Sequence, residues 1–376
     1  MTVGFLAQGC QFGFLIIGKI LGHEQICPAR LDSSNSKKRK GIFIVQNACT
    51  KWEVEGKNHL FRGPQIENLL APFRSKRVSC GGRMQSIRSH EEIVSYYDTC
   101  EWDYQFVWHT SRSLALHYGF WTQGIRSLIQ AQENQNRWMA QAIDINGKDR
   151  VLDAGCGVGG SSIYLAQTYG CECTGISLSQ RQVNRATESA RRKKIPANFQ
   201  VQDFNRTSFR SESFSVVWAI ESICHTANKE AFLTEAYRLL APGGRLIVAD
   251  GFSTTPMESL ESEQKDLMRG WLEPWAVDSL ATTEEFVEFA ARAGFENIQS
   301  QDVTNLVIPS ARKLNSRAIM ATIPAHLMYW IGLRNEIQHG NYTAGKYQWR
   351  ALQRKLWQYG VFMARKPGSA GPGAFE

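Results

Sequence analysis

From Arg150 onward, short apolar runs alternate with longer stretches in which apolar positions recur every three to four residues. The runs predict strands at 150–154, 171–176, 198–202, 214–220 and 244–250, and the periodic stretches predict helices at 161–169, 180–194 and 228–240. Strict alternation of this kind gives an α/β fold, a doubly wound parallel sheet with ligands at the carboxyl ends of its strands. Further on, Thr282 and Glu285 form a capping box for a helix ending at Gly294, and strands follow near 296–303 and 359–365. Between those strands, Thr304–Trp357 is rich in Trp, Tyr, His and Arg and reads as a lid over a substrate. Ahead of the sheet a helical preface begins at Glu91–Tyr97, followed by an aromatic-rich stretch that includes Trp102, Tyr104, Phe106, Trp108 and Tyr118.

The first strand breaks into Asp153-Ala154-Gly155-Cys156-Gly157-Val158-Gly159. Gly155, Gly157 and Gly159 at alternate positions allow a tight turn that brings backbone N–H groups close to a ligand, and the helix that follows adds its positive end. Asp153 stands just before them. A dinucleotide's phosphates would be repelled by a carboxylate there, whereas an ammonium group would be attracted, which points to S-adenosylmethionine. The next strand ends at Ser177-Leu178-Ser179, without the acidic residue that a dinucleotide-binding fold supplies for the ribose. Ser179 and Gln182 form an S-x-x-Q capping box for the next helix, alongside a ligand-binding role.

Four segments in order carry a resemblance to a known family. Gly175–Gln182 resembles the GITLS-x-x-Q variant of class I methyltransferases that act on sterols, tocopherols, benzylisoquinolines and lipid olefins. Gln202-Asp203-Phe204 resembles their adenine-binding motif. Ile220–His225 is similar to the IEATCHAP segment of sterol C-methyltransferases and to MESxEHMP of tocopherol methyltransferases, and Leu239–Val248 matches their LLxPGGxLxV turn. The resemblance covers roughly residues 90–366. It implies a seven-stranded Rossmann-like sheet with an antiparallel last strand. It also implies S-adenosylmethionine held by Asp153, Gly155, Gly157, Gly159, Ser177, Leu178, Gln182, Asp203, Phe204 and Ile220, with Tyr97 and Tyr118 of the YYD and HYG elements folded over it. The implied activity is methyl transfer to a small, largely apolar acceptor: a sterol, a terpenoid or a prenylated quinol.

Glu221 and His225 lie four residues apart just past the fourth strand, where the chain passes the methyl group. On an olefin, Glu221 and nearby aromatic faces would stabilise a carbocation. On a phenol or amine, His225 would act as general base. Both residues also admit structural roles, His225 as a helix-start contact and Glu221 as a buried strand-end carboxylate. An N- or O-methyltransferase of an aromatic metabolite stays open as an alternative. So does a non-catalytic protein that binds the cofactor or a membrane.

Composition narrows the rest. The chain has 376 residues, 43% hydrophobic, with a net charge of +8. The basic residues fall in scattered clusters (Lys37–Lys40, Arg191–Lys194, and the tail from Arg350 to Lys366), and the fourth strand lacks the NPPY-like tetrapeptide of base-methylating enzymes, so no nucleic-acid partner is expected. Attraction to an anionic membrane surface is left open. Nine cysteines without a framework of even spacing read as free thiols in a reducing, cytoplasmic setting, and no metal site is expected. Residues 1–83 read as a loosely ordered N-terminal extension: Gly4–Leu21 is apolar but lacks the features of a secretory signal, and Ser33–Lys40 reads as a linker. A targeting role for this segment stays open. The methyltransferase domain is expected over 84–366, with a flexible tail at 367–376; the oligomeric state is not legible.

Overall fold

The computed structural model describes residues 39–45, 48–54, 89–100, 103–104 and 113–368. Gly4–Leu21, Trp102, Phe106, Trp108 and the tail beyond Gly368 lie outside the described residues. The chain divides into two units, Met1–Arg83 and Met84–Glu376. In the first, β1 (Arg39–Val45) and β2 (Ala48–Val54) pair antiparallel, with Val45 opposite Ala48. Arg39 and Lys40, expected at the end of a linker, therefore open a strand.

The second unit runs α1 (His90–Thr99), α2 (Leu128–Ala142), β3 (Arg150–Ala154), α3 (Gly160–Tyr169), β4 (Glu172–Ser177), α4 (Gln180–Lys193), β5 (Ala197–Val201), β6 (Phe214–Ile220), α5 (Lys229–Leu239), β7 (Leu240–Ser253), α6 (Ser262–Leu272), α7 (Thr283–Arg292), β8 (Glu296–Asp302), α8 (Thr304–Met320), α9 (Thr322–Trp330), α10 (Glu336–Gln353) and β9 (Trp357–Arg365). The seven strands β3–β9 form one sheet in the order β5-β4-β3-β6-β7-β9-β8. Strands β3 to β7 are parallel, and β9 runs antiparallel to both β7 and β8. Period-two alternation divides the central strands between two cores: Val151, Val216, Trp218 and Ile247 face one, and Leu152, Val217, Leu246 and Val248 face the other. Both faces of the sheet are therefore covered, which is why these strands read as continuous apolar runs.

Five helices were not predicted from the hydrophobic pattern: α2, α6, and α8, α9 and α10 of the expected lid. The reason is clear for α2, whose buried face carries amides. Gln132 donates to the His117 carbonyl at 2.8 Å, Asn134 to the Phe120 carbonyl at 2.9 Å and Gln135 to the Tyr359 hydroxyl at 2.9 Å. Helix α2 thus holds the loop before it through hydrogen bonds as well as the edge-on contact of Trp138 with Phe120. The capping box of α7 is complete, with Thr282 and Glu285 exchanging bonds at 3.1 and 2.7 Å. That of α4 is only half made: Ser179 Oγ accepts from Gln182 N at 3.2 Å, but the Gln182 carboxamide accepts from Ser177 Oγ at 2.7 Å instead of returning to its cap.

The turn before β3 is tied to β7 by a buried pair. The Arg245 guanidinium donates to the Asp149 carboxylate and to the carbonyls of Ile143 (3.0 Å) and Asp144 (3.2 Å), while Asp149 also accepts from Ser215 Oγ at 2.7 Å. Arg245→Ala leaves that carboxylate buried and unpaired, and should cost about 3–5 kcal/mol in urea unfolding; a loss below about 1 kcal/mol would mean that water screens the pair. We further propose residue 84 as a folding boundary. A chain beginning at Met84 is expected to melt cooperatively by circular dichroism, and a non-cooperative melt would overturn it.

Candidate active site

A cleft of about 260 Å³ opens at the carboxyl ends of β3, β4 and β6. Its floor is the turn after β3. Gly155 sits at φ +89° with Ser222 behind it, so that an added Cβ would stand 2.3 Å from the Ser222 side chain. Ser222 Oγ in turn donates to the Ala154 carbonyl at 2.6 Å, fixing the turn against the end of β6. Asp153 borders the cleft but is only 3% exposed, and its carboxylate accepts one side-chain hydrogen bond, from Ser162 Oγ at 2.6 Å. Burial pushes its pKa up to about 6, against the opposing effect of the Ser162 bonds. A carboxylate so placed lacks a cation, and an amino-acid ammonium group would supply one.

The other polar groups of the cleft are chiefly acceptors or adaptable. Ser177 and Gln182 border it together, bonded to each other, at the end of β4 where an acid for the ribose is absent. Asp203 borders it at the end of β5, with one oxygen accepting from Asn205 N at 2.8 Å and the other 3.3 Å from His90 Nε2; Phe204 packs edge-on against Phe232. His117, buried beside the cleft, has Nδ1 bonded to the Tyr118 carbonyl and to Gln135. Because a carbonyl only accepts, Nδ1 carries the proton, and Nε2, which has no protein partner, is a bare acceptor. Burial lowers its pKa to about 4, so the ring is neutral at ordinary pH. These groups suit a ligand rich in donors: an ammonium, ribose hydroxyls and an exocyclic amine.

A second, larger cavity of about 530 Å³ lies beyond the first, under α8, α9 and α10 and walled by Trp271, Trp275, Trp357, Tyr118 and Tyr359. Four residues border both: Tyr97, Leu116, Glu221 and His225. Glu221 has a backbone φ of +46°, rare for a non-glycine residue, and its Oε1 accepts from the Tyr118 main-chain N–H and the Tyr359 hydroxyl, each at 2.8 Å. Burial raises its pKa well above the usual carboxylic range. His225 Nδ1 bonds the Ala276 carbonyl at 3.0 Å, so in the neutral ring Nε2 accepts from the Tyr97 hydroxyl 2.7 Å away. Asp250, at the edge of the second cavity, accepts from the main-chain N–H groups of Cys224 (3.0 Å) and Gly251 (2.7 Å).

Of the residues assigned to the cofactor from sequence, Asp153, Gly155, Gly157, Ser177, Leu178, Gln182, Asp203, Phe204, Ile220 and Tyr97 border the first cleft. Two do not. A Cβ on Gly159 (φ +87°) would strike Ala186 at 2.8 Å and Phe199 at 2.9 Å, so this glycine serves the packing of α3 against α4 and β5. Tyr118 borders the second cavity and offers its N–H to Glu221, because the loop that α2 clamps turns there. The sequence reading missed Asp250 and Tyr359, which have no motif and reach the site through the pairing of β7 with β6 and of β9 with β7. It also assigned no ligand role to His117, although the residue belongs to the HYG element.

Asp153 generates a pH-dependent prediction. Its folded pKa of about 6 lies above that of an unfolded aspartate, so ionising it in the ligand-free fold costs on the order of 3 kcal/mol, absent below pH 4 and fully expressed above pH 6. Asp153→Asn should therefore melt higher than the wild type at pH 8, with the difference closing by pH 4. The same substitution should weaken a ligand that brings an ammonium group by about 2–3 kcal/mol in calorimetry. Unchanged affinity would remove Asp153 from the site.

Residues 152–248 match the family model of the methyltransferase domain. The chain is 31% identical over 204 residues to 27-O-demethylrifamycin SV methyltransferase of Amycolatopsis mediterranei, covering 54% of this chain and 74% of that one. It is 42% identical over 139 residues to 2-methyl-6-phytyl-1,4-hydroquinone methyltransferase of Synechocystis, covering 37% of this chain and 43% of that one. The fold is similar to that of the [4+2]-cyclase SpnF, with a TM-score of 0.63 at 22% identity over 76% of this chain and 98% of that one. The chain spans 43 to 63% of the length of the first curated relatives it matches. An ammonium-seeking carboxylate, a glycine turn without a ribose acid and these relatives agree: the chain belongs to the class I S-adenosylmethionine-dependent methyltransferases.

Proposed function

We propose that the protein transfers a methyl group from S-adenosylmethionine to a small, largely apolar acceptor with a terpenoid or prenylated quinol character. The observation that carries this reading is the aromatic-walled cavity of about 530 Å³ that meets the cofactor cleft at Tyr97, Leu116, Glu221 and His225. Its size suits an acceptor with an extended apolar part, and Tyr97, Glu221 and His225 stand where the two cavities join. The Synechocystis relative is named for a phytyl-bearing hydroquinone, in keeping with such a shape. The fold alone does not decide the chemistry, since a cyclase shares it.

The cofactor, when bound, supplies a methyl group on a positively charged sulfur. The residues of this chain then have three tasks. Asp153 and the Gly155 turn hold the donor's amino-acid end, and the cavity wall excludes water while it lines up the acceptor. An acceptor that gained the methyl group would then have a proton to shed to this chain's residues. Glu221 and the Tyr97–His225 pair stand where that proton leaves. For an olefin, the Glu221 carboxyl and the faces of the surrounding rings stabilise positive charge on the acceptor. For a phenol or an amine, His225 takes the proton through the Tyr97 hydroxyl, which already occupies its Nε2. This hydrogen-bonded pair favours the second reading, N- or O-methylation of an aromatic metabolite.

The two chemistries separate by mutation. Glu221→Gln keeps shape and hydrogen bonding, and should lower turnover of an olefinic acceptor by about 10²–10⁴-fold with cofactor affinity unchanged. His225→Ala and Tyr97→Phe should instead be the damaging changes on a phenol or amine. Turnover is followed with labelled cofactor and an acceptor isolated from a lipid extract. Near wild-type rates in all three variants would leave alignment alone as the mechanism. Absence of any labelled lipid product from the wild type would overturn the apolar acceptor.

A further inference from the structure

Helix α9 is apolar on two sides, and of its residues only Ala325 is buried. Pro324, Ala325 and Met328 border the larger cavity, whereas Ile323 (81% exposed), Leu327 and Trp330 (66%) point to solvent. The exposed strip continues into Ile319 and Met320 (79%) at the end of α8 and into Ile331 and Leu333 after α9. Isolated apolar residues on a surface are ordinary, but a contiguous strip of this length marks a docking surface.

Charge identifies what would cover it. Thr304–Asn335 contains no Asp or Glu and four cations: Arg312, Lys313, Arg317 and Arg334. Arg334 is paired with Asp103 at 2.7 Å, and Arg317 borders the cavity. Arg312 and Lys313 are exposed, Arg312 lying over the Trp349 ring at 5.8 Å and Lys313 over the Trp121 ring at 3.7 Å, seven residues before Ile319 and Met320 and so on the same stripe of α8. An acid-free segment with a solvent-facing apolar ridge and cations beside it is the arrangement of an element that lies in a lipid–water interface. Among the described residues no helix is long and apolar enough to cross a membrane, so the contact is superficial.

We propose that α9 and the end of α8 dock on a bilayer surface containing anionic lipid, with Ile323, Leu327 and Trp330 in the interfacial layer and Arg312 and Lys313 against its headgroups. Because the opposite side of α9 walls the acceptor cavity, docking places that cavity next to the lipid phase, and an apolar acceptor passes into it without crossing water. Only this second statement rests on the acceptor proposed above; the docking surface stands without it.

The test is sedimentation of the full chain, with no acceptor present, with vesicles of phosphatidylcholine alone and of phosphatidylcholine mixed with phosphatidylglycerol. The wild type should sediment with the mixed vesicles and be released in part by high salt. The double variant Ile323→Asp/Trp330→Asp should bind them roughly tenfold or more weakly. Arg312→Gln/Lys313→Gln, which keeps the apolar ridge, should lose the preference for anionic vesicles. Both variants should keep the wild-type melting temperature and, where an acceptor is known, wild-type turnover of it dispersed in detergent. Three results would overturn the proposal: no sedimentation of the wild type with mixed vesicles, equal sedimentation of the Asp double variant, or a wild-type dimer in analytical ultracentrifugation that this variant dissociates, which would assign the ridge to a second copy. A failure of the apolar-acceptor reading would appear only in the turnover assay.

Discussion

A carboxyl group buried between neutral donors is the constraint on which the rest of this active site depends. Glu221 leaves the end of β6 in a left-handed backbone conformation, which costs of order 1–3 kcal/mol and persists only where its surroundings fix it. They do so from several sides. Its N–H bonds the Ala249 carbonyl of β7 at 2.9 Å, and its carboxyl takes the Tyr118 N–H and the Tyr359 hydroxyl. Tyr359 is held in turn by Gln135 of α2, the helix that also holds the Tyr118 loop. One side chain therefore joins the preface, the parallel half of the sheet and its antiparallel edge, and it does so where the two cavities meet.

The two cavities solve opposite problems. In the cofactor cleft, acceptors outnumber donors: the Asp153 carboxylate, His117 Nε2 and Asp203 await a ligand that brings protons and positive charge. Leaving Asp153 buried destabilises the ligand-free fold, and that cost is recovered only when a cation arrives, so stability is given up for affinity. The acceptor cavity has the reverse character. Its walls are largely aromatic and aliphatic, with Tyr97, Glu221 and His225 at the junction with the cleft and Asp103, Arg317, Arg334 and Asn341 elsewhere on its lining.

Helix α9 brings a further constraint. A helix nine residues long has little surface to divide, yet one side of α9 walls a cavity and the other carries large apolar side chains. The first side lines the cavity through Pro324, Ala325 and Met328, with Ala325 buried. The second side has no internal use, which sets it apart from the ordinary amphipathic pattern of α7, where one face is buried and the other carries Glu284, Glu285 and Glu288.

The sequence alone determined the order of strands and helices from Arg150 to the end of β7, because both faces of a central parallel sheet are buried and the apolar runs are correspondingly clear. Gly155, Gly157, Asp153, Ser177, Gln182 and Asp203, which border the first cleft, were legible because they lie at strand ends within short local segments. Helix α2 was not legible, because amides (Gln132, Asn134, Gln135 and Asn136) share its buried face with Leu128, Ala131, Met139 and Ala140, and periodicity counts only apolar positions. The roles of Tyr118 and Tyr359, the half-made cap at Gln182 and the packing duty of Gly159 were decided by tertiary structure, each depending on a partner distant in the chain. Of the second cavity the sequence showed only a lid, over Thr304–Trp357; its enclosure by the ends of β6, β7 and β9, by α6 and by α8 to α10 brings together segments as far apart as Tyr97 and Tyr359, which no local pattern records.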